Sequence, residues 1–134
     1  MKFIALFAFC MLPAVAQAAL FTCAVTRRTD SKAEYAAERI AKEQLTVLLS
    51  VDDNEDQNPL NDKASISACD VTGAEGKTCD TYEVDKIVYD DATKLKKYYN
   101  FFAQVDLQVW PDMSFVLNDG RSGISYGSCK VSEE

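Results

Sequence analysis

The chain has 134 residues, with 14 Lys and Arg, 21 Asp and Glu, and no His, which gives a formal net charge of −7. This acidic balance argues against a nucleic-acid-binding protein, because such proteins need a basic footprint to replace counterions on phosphates. The lack of His excludes Ser-His-Asp and Cys-His nucleophile systems and His-ligated metal sites.

The N-terminus has the pattern of a secretory signal peptide. Lys2 precedes an uncharged apolar run over residues 3–16, and Ala16-Gln17-Ala18 supplies the small residues of a cleavage site. The alternative is an uncleaved membrane anchor, but the run is shorter than the roughly 20 residues that span a bilayer. We therefore expect a signal peptide over residues 1–18 and a single exported domain over 19–134. That domain would lie in the periplasm or outside the cell and carry no membrane span.

Four cysteines remain after this cleavage, and an even number in an exported chain indicates two disulfides. Four cysteines allow three pairings. We predict Cys69–Cys79, which would close a short glycine-containing loop, and Cys23–Cys129, which would tie the first strand to the last. The chain contains no C-x-x-C motif, so neither a redox dithiol nor a zinc ribbon is indicated.

One helix is predicted near the N-terminus of the mature domain. Ser31 and Glu34 have the spacing of a capping box, with Ser31 as the N-cap. The apolar residues that follow share one helical stripe, so we expect a short helix over residues 32–43.

Strand patterns dominate the rest of the chain. Alternating hydrophobicity predicts strands over residues 21–25, 45–51, 66–71, 81–89, 99–109, 114–117 and 122–131. Residues 98–131 are interpreted as a three-stranded antiparallel meander, with a hairpin turn at Asn118-Asp119-Gly120. The expected fold is a mainly β protein, a small antiparallel barrel or sandwich with one accessory helix.

Large aromatic residues lie on both phases of the predicted long strand. Tyr99 and Phe101 share a phase with the aliphatic residues and are expected in the core. Tyr98, Phe102 and Trp110 fall on the opposite, polar phase. They would form a recognition patch or the rim of a ligand cavity, because Trp and Tyr are enriched at binding hot spots. The alternative is a second packing layer.

The last predicted strand begins with Ser122-Gly123-Ile124-Ser125-Tyr126, an S-G-x-x-Y pattern. It resembles the loop motif of the periplasmic inhibitors of c-type lysozyme, which are small exported β-barrels. The resemblance implies that Ser122 and Tyr126 contribute to a loop inserted into an enzyme's cleft. An acidic chain would suit a basic lysozyme. The alternative is that the glycines permit turns or bulges and Tyr126 packs.

A polar loop over residues 52–63 is rich in acidic and amide side chains. Asp52, Asn54 and Asp56 copy the first three ligand positions of a calcium loop. Gln57 and Lys63 stand where such a loop needs Gly and Glu, so the alternative is a solvated acidic loop.

Taken together, these patterns favour a non-catalytic binding module that acts on an unidentified macromolecule outside the cytoplasm, in particular as an enzyme inhibitor. No cofactor is expected. The alternatives are a small-ligand carrier with a β-barrel cavity, a structural envelope or surface protein, and a carboxylate enzyme. A carrier needs an interior cavity of roughly 300 Å³ or more, so a filled interior would exclude it. The enzyme needs two carboxylates about 5–10 Å apart in one cleft, one of them with a raised pKa.

Overall fold

The structure, a computed structural model, describes residues 18–52 and 58–132. Apart from Ala18, the predicted signal peptide lies outside the described residues. In chain order the elements are Ala18–Thr29 (β1), Ala37–Glu43 (α1), Thr46–Asp52 (β2), Lys63–Gly73 (β3), Gly76–Glu83 (β4), Lys86–Tyr89 (β5), Lys96–Asn100 (β6), Val105–Val109 (β7), Ser114–Asn118 (β8) and Ile124–Val131 (β9). A short 3₁₀ helix, Pro59–Asn61, precedes β3.

All nine of these strands belong to one antiparallel sheet in the order β4-β3-β2-β1-β9-β8-β7-β6-β5. The sheet curls into a half-barrel, so the predicted fold class, mainly β with one short helix, is confirmed. Its two edges, β4 and β5, follow each other directly in the chain. The two-residue link between them forms hydrogen bonds near both edges of the sheet. The Val84 amide donates to Ala64 O on β3 (2.9 Å), and the Asp85 amide donates to Tyr99 O on β6 (2.7 Å).

The core lines the concave side of this sheet. Alternate residues of the central strands point inward, as the period of two in a strand requires. The largest side chains with less than 2% exposure are Phe115, Leu49, Ile66, Leu107, Val47, Val105 and Cys23. The helix adds one residue to this core, Ile40. No helix in the described part of the chain is long and apolar enough to cross a membrane.

Both predicted disulfides are confirmed. Cys23 on β1 and Cys129 on β9 are paired directly across the sheet and joined through a sequence separation of 106 residues. Cys69 and Cys79 are paired across β3 and β4, at a separation of 10 residues. The two bonds are consistent with an oxidising environment outside the cytoplasm.

The helix begins later than predicted, at Ala37 rather than residue 32, and Ser31 does not cap it. The N-cap is Ala36, which has no side-chain cap. The side chain of Asp30 instead accepts hydrogen bonds from the amides of Lys32 (2.8 Å) and Ala33 (3.0 Å). Those amides are therefore held in a local turn that competes with helix formation.

Two predicted strands are each two strands in the structure. Residues 81–89 divide between β4 and β5, at opposite edges of the sheet. Residues 99–109 divide between β6 and β7, joined by a turn over 101–104. The meander over 98–131 therefore has four strands rather than three. Because of this added turn, the residue of β6 that points into the core is Tyr98 and not Tyr99.

Candidate functional site

A polar cleft of about 440 Å³ opens at one side of the half-barrel. It lies between α1, the β3–β4 hairpin and the turn that joins β8 to β9. Core residues such as Val25, Val47 and Leu117 form its floor. Its charged lining comprises Arg28, Arg39, Arg121, Asp30, Glu43, Asp70, Asp80 and Asp119.

An ion pair lies near the floor of the cleft. Arg28 donates to Asp119 (Nη2 to Oδ2, 2.7 Å) and to the hydroxyl of Ser125 (2.9 Å), which is 2% exposed. Burial would raise the pKa of the Asp119 carboxyl. Hydrogen bonds from Arg28 and from the amides of Arg121 and Gly123 outweigh it, and the pKa lies below its ordinary value. The carboxylate therefore stays ionised and fixes Arg28.

Gly123 makes this pair sterically possible. A Cβ at this position would lie 2.2 Å from Asp119 Oδ2 and 2.4 Å from Arg28 Nη2. The ion pair therefore leaves no room for a side chain at this glycine of the S-G-x-x-Y pattern. Ser122, beside it, is exposed in the β8–β9 turn at φ 71°.

The helix side of the cleft carries a second charged pair and an aromatic ring. Arg39 donates to Glu43 one turn later (2.9 Å), and its guanidinium lies 3.8 Å from the ring centroid of Tyr35. The guanidinium of Arg28 lies 5.3 Å from the same centroid. Tyr35 therefore links α1 to the Arg28–Asp119 pair through cation–π contacts.

Arg121 reaches across the open side of the half-barrel. From the β8–β9 turn it donates to the hydroxyl of Tyr82 on β4 (3.1 Å) and lies 3.7 Å from a carboxylate oxygen of Asp80. Its side chain is 71% exposed, so most of its donors face solvent at the entrance of the cleft.

Sequence reasoning missed this cleft. Alternation from Cys23 and Val25 places Arg27 inward, but a bulge between Val25 and Arg27 shifts the register. Arg28 points into the cleft as a result, while Arg27 pairs with exposed Glu34 (2.8 Å). The glycine at this bulge is Gly127 on the opposite strand, where a Cβ would lie 1.9 Å from Ala24 O. The bulged strand β1 contains no glycine itself, so its own sequence does not reveal the shift.

Trp110 and Tyr126 line a second, more open groove of about 760 Å³. Hydroxyls of Thr26, Ser114 and Ser128 share it. The guanidinium of Arg27 lies 5.2 Å from the Tyr126 ring centroid. Tyr126 lies on β9, whereas Ser122 lies in the turn before it, so the two residues do not belong to one loop as the resemblance implied.

Phe102 is fully exposed, and neighbouring Phe101 is 61% exposed. The turn that carries them is held on both sides. The Phe101 amide donates to Asp85 Oδ2 (2.8 Å), and the Ala103 amide donates to Asn100 Oδ1 (2.8 Å). The Tyr99 and Phe101 rings stack at 6.1 Å between centroids. We call residues 101–104 the phenylalanine turn.

The predicted placement of the other aromatic residues on this segment is wrong. Tyr98 belongs to the core and is 4% exposed, whereas Phe101 lies outside it and Tyr99 is half-buried. Burial raises the pKa of the Tyr98 hydroxyl to about 12. Its ring lines a small pocket of about 100 Å³ beside Phe21 and Ile87.

The calcium prediction stays a prediction. Asp52 is exposed at the end of β2, and Asn54 and Asp56 lie outside the described residues. Within 18–52 and 58–132, no three His, Cys, Asp or Glu side chains are grouped to hold a metal ion.

A comparison with known protein families, with curated proteins and with solved structures finds no match to this chain. Its function must therefore be argued from the cleft, the groove and the phenylalanine turn.

Proposed function

We propose that the protein is a non-catalytic binding protein, exported to the periplasm or beyond the cell, that recognises another macromolecule. More specifically, we propose that it inhibits an extracytoplasmic enzyme such as a lysozyme. The observation that carries the proposal is the full exposure of Phe102 on a turn whose backbone is fixed.

An exposed aromatic side chain is costly in water and valuable at an interface. Burying a Phe contributes about 1.5–3 kcal/mol, and a few such anchors dominate many interfaces. The phenylalanine turn is pinned by Asp85 and Asn100, so little backbone entropy is lost when a partner covers it. This geometry suits a side chain that enters a pocket of a partner protein.

The charge of the chain indicates what kind of partner it suits. A net charge of −7 steers positively charged proteins toward it and repels acidic ones. A basic enzyme with an apolar pocket is the partner that fits both features.

The test is affinity capture from the periplasmic or extracellular fraction. The full chain is expressed for export, so that the host processes any leader, and is purified with its disulfides intact. We expect a basic partner that binds the wild-type protein and is lost with Phe102→Ala. Leu60→Ala, which truncates another exposed apolar side chain (50% exposed), is the matched control.

Calorimetry and activity assays then define the interaction. We expect Phe102→Ala to weaken affinity for the captured protein about tenfold or more, and the wild-type protein to inhibit the partner if it is an enzyme. Equal binding by Phe102→Ala and the wild type would refute a role for the turn.

A small-ligand carrier is a second candidate, and the cleft favours it. Its volume of about 440 Å³ exceeds the roughly 300 Å³ that a carrier requires. The interior of the half-barrel is filled by Phe115, Leu107 and their neighbours, so the described residues leave no room for a ligand in the barrel interior, where the sequence predicts it. A carrier would have to bind its ligand in this cleft at the rim instead.

A further inference from the structure

The charged groups of the cleft are already held by the protein itself. Three arginines form ion pairs within it: Arg28 with Asp119, Arg39 with Glu43, and Arg121 with Asp80. Each of these three guanidinium groups therefore already has a carboxylate partner.

The two remaining carboxylates of the lining are also hydrogen-bonded. Asp30 accepts from the amides of Ala33 and Lys32, which hold the pKa of its carboxyl below the ordinary value. Asp70 accepts from the hydroxyls of Thr72 (3.0 Å) and Thr78 (3.2 Å). Within the described residues, every charged group that lines the cleft therefore has a protein partner.

The lining disfavours an anion and offers a cation carboxylates that already have protein partners. An anion would enter among five carboxylates on a chain of net charge −7. A cation would find three of those carboxylates paired with arginines and the other two hydrogen-bonded to amides or hydroxyls. An ion that displaced one of the pairs would leave a charged group without its partner, a cost that a neutral ligand avoids.

Spare hydrogen-bonding capacity remains at the entrance. A guanidinium has five N–H donors and a carboxylate about four acceptor sites. Arg121 uses one donor on Tyr82 and lies 3.7 Å from Asp80, and both charged side chains are more than 70% exposed. The cleft thus offers strong donors and strong acceptors side by side, above a floor that includes the apolar side chains of Val25 and Leu117.

We infer that the cleft binds an uncharged, hydroxyl-rich ligand, a saccharide unit of one or two rings. Each hydroxyl of a sugar both donates and accepts, so it uses both halves of an Arg–carboxylate pair. The C–H faces of the ring suit the apolar floor. This inference rests on the second candidate function, since it names the ligand class that the cleft would carry.

Titration of the oxidised protein with neutral and charged probes tests the inference. The neutral probes are the disaccharide of N-acetylglucosamine and maltose; the charged probes are putrescine and citrate. Amide NMR shifts report the position of binding. We expect a disaccharide, and neither ion, to shift the amides of Arg121, Ser125 and Tyr82 at concentrations up to about 10 mM.

Paired arginine variants locate the site. Arg121→Met removes the donors at the entrance, and we expect it to weaken disaccharide binding about tenfold. Arg27→Met makes the same change at an exposed arginine that does not line the cleft, and binding should be unchanged.

Three results would overturn the inference. They are no shift with either disaccharide, tighter binding of putrescine or citrate, and equal losses in Arg121→Met and Arg27→Met. Phe102→Ala separates this inference from the leading proposal, because it should abolish partner capture and leave disaccharide binding intact.

Discussion

At the scale of single residues, Gly123 is the position on which the floor of the cleft depends. A methyl group there would overlap both partners of the Arg28–Asp119 ion pair. We predict that Gly123→Ala displaces the pair and lowers the free energy of unfolding by about 1–3 kcal/mol in urea denaturation. Gly73→Ala is the control, because the nearest atom to its Cβ would be 3.9 Å away. A change above about 0.5 kcal/mol in the control would contradict this steric explanation.

Asp119 gives the same ion pair a pH dependence. The folded protein holds its pKa below the ordinary value of about 3.9. Its contribution to stability is therefore complete above that value and is lost as the pH falls through the lower, folded pKa. We predict that Asp119→Asn is less stable than the wild type at pH 7, and that the difference shrinks below about pH 4. Urea unfolding across this range measures it, and a constant difference would show that Asp119 does not titrate as described.

At the scale of elements, the phenylalanine turn shows what hydrophobic alternation can and cannot reveal. The pattern identifies β7 correctly, because Val105 and Leu107 are buried as predicted. It fails before residue 101, because the turn contains no glycine or proline. The turn is specified instead by Asn100 and by Asp85, a residue on a different segment of the chain. Asn is a common turn residue, but a single Asn within an alternating run is a weak signal. The contact with Asp85, 16 residues earlier, has no local signal, so the inward phase of Tyr98 was not predicted from the sequence.

The side chain of Asn100 stabilises this turn from two sides. It accepts from the Ala103 amide and donates to Glu83 O at the end of β4, each at 2.8 Å. We predict that Asn100→Ala lowers the free energy of unfolding by about 1–2 kcal/mol and speeds hydrogen exchange at the Ala103 amide. Gln108→Ala is the control, since that amide makes one 3.4 Å contact within its own strand. Unchanged exchange at Ala103 would show that the turn does not need Asn100.

At the scale of the whole molecule, the cleft exists because distant segments meet when the sheet curls. Arg121 lies in the β8–β9 turn and Asp80 lies on β4, yet the two side chains face each other across the opening. The sequence predicts the strand-rich class, the helix and both disulfides from local patterns and cysteine spacing. It does not predict which strands form the edges, and hence which charged residues share a cleft, because that depends on the two-residue link at Val84 and Asp85.

The two disulfides should contribute unequally to the stability of this sheet. In the chain-entropy model, a bond stabilises by restricting the unfolded chain, and its effect grows with the loop that it closes. Cys23–Cys129 closes a loop of 106 residues and Cys69–Cys79 one of 10. We predict losses of about 5 kcal/mol and about 3 kcal/mol when each pair is replaced by alanine. Urea unfolding of the two double variants, each compared with the wild type, measures the difference. An equal loss, or a larger one for Cys69–Cys79, would mean that packing around the bonds outweighs loop entropy. In that case the β3–β4 edge, which forms one wall of the cleft, would be the part of the sheet that depends most on its covalent link.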